Sequence, residues 1–222
     1  DNCSIASLFP STSSFSCADI GANNVTLTVT DGSGYTSTCV AVVTVSDTTS
    51  PTALCKDTTV YLDGTGNVTI TATDIDGGSI DKCGTATLSA SQTAFTCADV
   101  GVNNVTLTVT DVNGNVSTCV AIVTVGDTIT PTAVCEDTTV YLDGAGNAVI
   151  TASGIDGGST DNCGIATLSA SQTAFTCVDV GTNNVTLTVT DDNGNVSTCV
   201  AVVTVSDTTS PVAICQDTTV YL

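Results

Sequence analysis

Twelve cysteines fall into four series that each recur every eighty residues: Cys3, Cys83 and Cys163; Cys17, Cys97 and Cys177; Cys39, Cys119 and Cys199; Cys55, Cys135 and Cys215. A period of that length is too long for a solenoid turn and matches a small domain, so the chain must fold as tandem units rather than around one large core. The stretches 47–51, 127–131 and 207–211 are polar, extended and proline-ended, and read as linkers. They leave a partial unit at 1–47, whole units at 48–127 and 128–207, and at 208–222 the first strand of a further unit.

The most regular part of each unit is a hairpin, present at 23–45, 103–125 and 183–205. Its first arm alternates, with Val105, Leu107 and Val109 on one face and Thr106, Thr108 and Thr110 on the other. That is the period of a half-buried strand. Its second arm, 119–125, is apolar at nearly every position, as in a strand covered on both sides. Between the arms lies Asn113-Gly114, a pair that tolerates positive φ and closes hairpins. In the second unit the remaining strands are expected at 53–62, 68–73, 83–89 and 93–97, with a turn at 63–67 and a loop at 74–79. No segment carries a helical period. Short alternating strands with Gly, Asn and Asp turns in about 80 residues indicate an all-β fold of tandem immunoglobulin-like antiparallel β-sandwiches.

The ordered pattern Asp127…Pro131, Val134-Cys135, 160–164 (Thr-Asp-Asn-Cys-Gly), Val180-Gly181, 185–191 (Val-Thr-Leu-Thr-Val-Thr-Asp) and 193–195 (Asn-Gly-Asn) resembles the hyalin repeat (HYR) family. The resemblance covers essentially the whole chain. It implies an immunoglobulin-like sandwich in tandem arrays of extracellular and bacterial cell-surface proteins linked to adhesion. That family often carries a cysteine in the strand 185–190. This chain has none there and has Cys177 upstream instead, so its disulfides are not carried over from the family.

Composition narrows the function. The chain has 222 residues and a net charge of −20, with Lys56 and Lys82 its only basic side chains. Nucleic-acid phosphates need Lys and Arg, so nucleic-acid binding is excluded as a class. Anionic membrane surfaces are repelled, and no apolar run is long enough to insert. There is no His for base catalysis and no Arg to clamp an anion. The carboxylate pair Asp74 and Asp76 is not repeated, because Gly154 replaces Asp74 in the next unit. No catalytic residue is assigned and the chain is read as no enzyme. Twelve Cys without His and without any C-x₂-C pair argue against zinc and for disulfides, hence for an extracellular or cell-surface location. The chain begins at Asp1 without Met and is expected to be a mature product or a fragment.

What the chain should attract is cations. Asp-rich loops recur: the linker residues Asp47, Asp127 and Asp207; the loops with Asp74, Asp76 and Asp81, and with Asp156 and Asp161; and the hairpin turns, Asp111 with Asn113 and Asn115, and Asp191 with Asn193. Carboxylates, amides and carbonyls of such loops are calcium ligands, and calcium is the expected cofactor, stiffening the array at the linkers. The competing reading is ordinary Asx turns. Asn-x-Ser/Thr sequons occur at Asn2, Asn24, Asn67, Asn104, Asn115, Asn184 and Asn195. The functional class is then an extracellular stalk or filament. The alternative is an adhesin or carbohydrate-binding array with a glycan or cell-surface ligand. Sugar sites want exposed aromatics, and the chain has no Trp and only four Tyr.

Two disulfide schemes fit the strands. In the first, hairpins pair Cys3 with Cys17, Cys83 with Cys97 and Cys163 with Cys177. The parallel first and last strands of a unit pair Cys55 with Cys119 and Cys135 with Cys199. This leaves Cys39 and Cys215. In the second, pairs Cys39–Cys55, Cys119–Cys135 and Cys199–Cys215 cross the linkers. Under the first scheme, strand 208–222 of one copy enters partial unit 1–47 of the next, bringing Cys215 to Cys39 and building a head-to-tail homopolymer. A window on one long covalent array explains the same ends. Residues matching 63–80 are missing from the composite unit in the first case.

Overall fold

The computed structural model describes residues 4–222. It divides into two compact units. One takes in the chain up to Thr59 with Thr69–Ala94 and Val102–Thr124; the other comprises Val60–Val68, Phe95–Gly101 and Val125–Leu222. These boundaries cut through strands and do not coincide with the period-based segments.

The second unit shows the architecture in full. Its strands are β10 (Thr138–Tyr141), β11 (Asn147–Val149), β12 (Ile165–Ala170), β13 (Ala174–Thr176), β14 (Gly181–Asp191) and β15 (Val196–Ser206). One sheet has the order β10-β15-β14-β12, and β11 and β13 form a second. The hairpin β14–β15 pairs Gly181 with Val205 through Thr190 with Val196. Strand β10 lies parallel to β15, from Thr138 opposite Val203 to Tyr141 opposite Ser206. This is an immunoglobulin-like β-sandwich. Its core is what the alternation of β14 dictates: Val185, Leu187 and Val189 point inward against Ala201, Val203 and Val205, with Phe175, Ile155 and Leu142 from the opposite side. Burying each of the large side chains stabilises by about 1.5–3 kcal/mol.

The same order recurs earlier as β4-β9-β8-β6, with the pair β5-β7: β4 (Thr58–Tyr61), β5 (Asn67–Thr69), β6 (Thr85–Ala90), β7 (Ala94–Thr96), β8 (Gly101–Asp111) and β9 (Val116–Gly126). Before it comes a three-stranded sheet, β1 (Ile5–Pro10), β2 (Gly21–Asp31) and β3 (Thr36–Val45), in that order. Strand β3 is therefore an edge. No 208–222 strand accompanies it, and residues 208–222 are exposed throughout without regular structure.

Several expectations are corrected. Segment 53–62 is not one strand. Its first half makes one single bridge, Cys55 to Asp76, after that of Thr52 to Ile80 just before it, and only Thr58–Tyr61 is a strand. Between the halves, Asp57 turns its carboxylate to accept a 2.8 Å hydrogen bond from Ile122 N, taking the place of a backbone acceptor; Asp137 does the same for Val202 N at 2.7 Å. Segment 68–73 breaks after Thr69 because the chain winds into a 3₁₀ turn at Ala72–Asp74, as it does at Ala152–Gly154 after β11; Asp74 accepts from Thr71 N at 2.7 Å in the first of these turns. The second hairpin arm is covered on one face only: Val120 and Val200 are exposed, while Ala121, Val123, Ala201 and Val203 are buried.

Candidate functional site

The acidic loops converge at one end of the β14–β15 hairpin. Strand β14 ends at Asp191, which is almost fully buried. Its Oδ1 accepts from the N–H groups of Asn193 at 2.9 Å and Asn195 at 2.7 Å, and its Oδ2 from Asn195 Nδ2 at 2.8 Å. The turn closes through Gly194 at φ +91°, a conformation that L side chains rarely adopt. Burial pushes the Asp191 carboxyl up. The Asn195 amide and the N–H groups of Asn195, Asn193 and Gly194 outweigh that and hold it below the usual carboxylate range. Asp127, 8% exposed, lies beside it. Asn193 Nδ2 donates to Asp127 Oδ2 at 2.8 Å, and Ile129 N donates to Oδ1 at 3.1 Å. Asp161 completes the group: carboxylate oxygens of Asp127, Asp161 and Asp191 all lie within 4.8 Å of one another.

Such a group of hard oxygens fits a calcium ion, which takes about six to eight of them. The Asn162 side-chain amide, one end of which lies 3.3 Å from Asp127 Oδ1 and the other 3.2 Å from both Asp161 carboxylate oxygens, and the Asp127 carbonyl, which accepts from Asn195 Nδ2 at 3.3 Å, are further oxygen sources nearby. Asn195 is the counterpart of Asn115, which the sequence places in a cation-binding turn, whereas Asn162 is a ligand candidate that the sequence reading misses. The signal was there in the pattern Thr160–Gly164 and in the Asn-Gly-Asn turn.

The equivalent residues of the other unit form a different site. Asp111 is held like Asp191, by Asn113 N, Asn115 N and Asn115 Nδ2, each at 2.8 Å. Burial raises its pKa and these bonds more than reverse that. Asp47 and Asp81 cluster with Cys83, but Cys83 is in a disulfide and is no thiolate ligand. Asp47 Oδ2 is buried without a hydrogen-bond partner. Lys82 stands where the other unit has Asn162 and brings a positive charge to the same loop.

The remaining acidic candidates serve their own turns. Asp74 accepts from Thr71 N and Oγ1, both at 2.7 Å. Asp76 accepts from Ser79 N at 2.9 Å and Oγ at 2.6 Å. Asp156 accepts from Ser159 N at 3.0 Å and Oγ at 2.5 Å. The exposed Asp207 accepts from Thr209 N at 2.9 Å. None of these joins a carboxylate cluster among the described residues.

Among the described residues the disulfides are Cys17–Cys83, Cys55–Cys119, Cys97–Cys163 and Cys135–Cys199. The second and fourth join the segment that leads into the first strand of a repeat to its last strand, and those two strands run in parallel. The hairpin pairings Cys83–Cys97 and Cys163–Cys177 are corrected, and so is Cys3–Cys17, whose Cys3 lies outside the described residues. The reason is topological. Strands β6 and β7 are consecutive yet do not pair with each other: β6 pairs with β8 and β7 with β5, so the turn between them changes sheets. The linker-crossing pairs of the second scheme are absent too. Instead Cys17 and Cys97 each bond the cysteine that opens the β6- or β12-containing loop one period on, with Cα atoms 5.3 Å apart. Gly66, at φ +75°, makes room: a Cβ there would lie 2.7 Å from Cys97 Sγ and 3.0 Å from the Asn162 carbonyl oxygen.

Cys39, Cys177 and Cys215 are free and exposed. Cys177 nevertheless sits as Cys97 does. Its Sγ lies 3.8 Å from the Gly146 carbonyl oxygen, as Cys97 Sγ does from that of Gly66, and it lines a pocket with Gly144, Gly146, Asp207 and Pro211.

No protein-family model matches the chain, and no curated protein sequence does. Among solved structures it is similar to Protocadherin Gamma B7 extracellular cadherin domains 1–4, at 13% identity over 86% of this chain and 59% of that one, with a TM-score of 0.34. It is similar also to Protocadherin Gamma B2 extracellular cadherin domains 1–5 (12% identity, 86% of this chain, 47% of that one, TM-score 0.37). A third is Protocadherin Gamma C5 EC1–3 (11% identity, 85% and 78%, TM-score 0.38). The chain thus spans about half to three fifths of the length of the first two. Superpositions this loose carry no argument about what the chain does.

Proposed function

We propose that this chain is part of an extracellular, disulfide-linked structural array of HYR-like repeats, 48–127 and 128–207 being whole repeats, that forms a cell-surface stalk or filament without enzymatic activity. The observation that carries the reading is the pair of bonds Cys17–Cys83 and Cys97–Cys163. Each joins a cysteine of one period to the next period's member of a different series, so the repeats are covalently clasped and not merely strung. Bonds of this number belong to an oxidising compartment. Calcium at Asp127, Asp161 and Asp191, with Asn193 beside them, would brace the linker that Asp127 begins.

The free cysteines support continuation of the array through further repeats. Cys177 is placed as Cys97 is, to bond the counterpart of Cys163 in a further repeat. The exposed edge of β3 lacks the parallel strand that β10 supplies to β15, and Val43 is only partly covered where Val203 is buried. The exposed segment 208–222 has the sequence of that strand. In the register of β10 and β15, its Thr218 would face Val43 and its Cys215 would reach Cys39 of another repeat. The partner repeat belongs either to a second copy, making a head-to-tail homopolymer, or to the same continuous polypeptide.

Denaturing electrophoresis of native material with and without reductant tests this. A ladder that collapses on reduction supports disulfide-joined copies. One very large band that survives reduction supports a continuous array. A discrete species containing no more than the described repeats, with Cys39, Cys177 and Cys215 still alkylatable, overturns the proposal.

A further inference from the structure

The four disulfides have a consequence for tension that does not depend on whether copies assemble. Cys55–Cys119 and Cys135–Cys199 are separated along the chain by the sixteen residue steps from Cys119 to Cys135. Cys17–Cys83 and Cys97–Cys163 are separated by the fourteen steps from Cys83 to Cys97. Each series therefore makes a continuous covalent path that crosses an eighty-residue period in a fifth of its length. We propose a mechanical function: the two series act as parallel load-bearing rails, so that pulling on the chain loads the short linking segments and disulfides and leaves most of each sandwich behind a covalent shunt. Segment 56–82 lies inside the loops of both rails, whereas 136–162 is the main-chain step by which load passes from one rail to the other. The rails back each other up, because the main chain joins them within every repeat.

The magnitudes follow from connectivity alone. Reduced, the chain extends to about 770 Å at roughly 3.5 Å per residue. With all four bonds closed, the shortest route from end to end runs through Cys17–Cys83, Cys97–Cys163 and back to Cys135–Cys199, and it limits extension to about 300 Å. Removing either rail raises the limit only to about 320–340 Å, since the other still carries the load.

Single-molecule force spectroscopy of the 222-residue chain, with handles at its ends and Cys3, Cys39, Cys177 and Cys215 replaced by Ser, reads these limits. The expected results are extension ending near 300 Å oxidised and near 770 Å reduced. The decisive variant also carries Cys55→Ser, Cys119→Ser, Cys135→Ser and Cys199→Ser. If Cys17–Cys83 and Cys97–Cys163 form a rail, it stops near 320 Å; local pairs Cys83–Cys97 and Cys163–Cys177 in the chain that keeps Cys177 would let it run to about 600 Å or more. A limit well beyond 400 Å in the oxidised parent, or in this variant, overturns the proposal. Should the variant not fold, non-reducing peptide mapping of the parent decides: Cys17–Cys83 and Cys97–Cys163 peptides are required, and a Cys83–Cys97 peptide refutes the rails.

Discussion

Replacing Cys135 and Cys199 by Ala removes the bond between the segment that leads into β10 and strand β15 without touching the rest of that sandwich. The bond closes a loop with a sequence separation of 64. Restricting the unfolded chain over such a loop stabilises the fold by about 4 kcal/mol at 25 °C in the chain-entropy model. The bond Cys97–Cys163 closes an overlapping loop and shortens the effective one, but the dependence on length is logarithmic, so the overlap alters this by only a few tenths of a kcal/mol. Both cysteines pack partly buried against Val203 and its neighbours in the core, and losing the two sulfurs costs roughly 1 kcal/mol more. The expected total is about 4–5 kcal/mol. A chain of several repeats does not unfold in one step, so a global melting curve is the wrong probe. Amide hydrogen exchange at Val185, Leu187 and Val189 reports opening of this sandwich alone. Their protection should fall by roughly a thousandfold in the double variant, at about 1.4 kcal/mol per tenfold. The equivalent amides of Val105, Leu107 and Val109 should change by less than about tenfold, since their own bond, Cys55–Cys119, is intact. A loss of less than tenfold at 185–189, or an equal loss at both sets, would refute the reasoning.

Two further outcomes are expected. Calcium added to the EDTA-treated protein should raise the temperature at which the Val125–Leu222 unit opens, by up to about 2.7 kcal/mol of stability at a hundredfold excess over Kd; Asp127→Asn and Asp191→Asn should each remove most of that gain, and identical scanning-calorimetry curves in the two buffers would rule the site out. Asp111 and Asp191 have pKa values lowered in the fold, so the stability they contribute is complete above the unfolded carboxylate value of about 3.9 and is lost as pH falls below it through the folded value; denaturant titrations of the metal-free protein at acid pH should show this limb flattened in an Asp111→Asn, Asp191→Asn double variant, and an unchanged limb would count against it.

How much of this was legible in the chain follows from the range of the forces involved. Alternation along 105–109 and 185–189 fixes which face of β8 and β14 is buried, because neighbouring side chains on a strand must point to opposite sides. Asp191, Asn193 and Asn195 bond one another within four residues, so their turn could be read locally. The period of eighty located every equivalent cysteine. Partners across the fold were another matter. Cys83 and Cys97 flank a short turn and look paired, yet β6 and β7 leave that turn for different sheets, and each cysteine bonds to a neighbouring period. Asp127, Asp161 and Asp191 meet although they lie on a linker, a loop and a strand end. Asp74, Asp76 and Asp156 resemble them in sequence but are consumed by Thr71, Ser79 and Ser159 beside them. Local hydrogen bonds and strand alternation act over a few residues and are written in the sequence. Which sheet a strand joins depends on burying apolar faces from distant segments at once, and only the tertiary structure decides that.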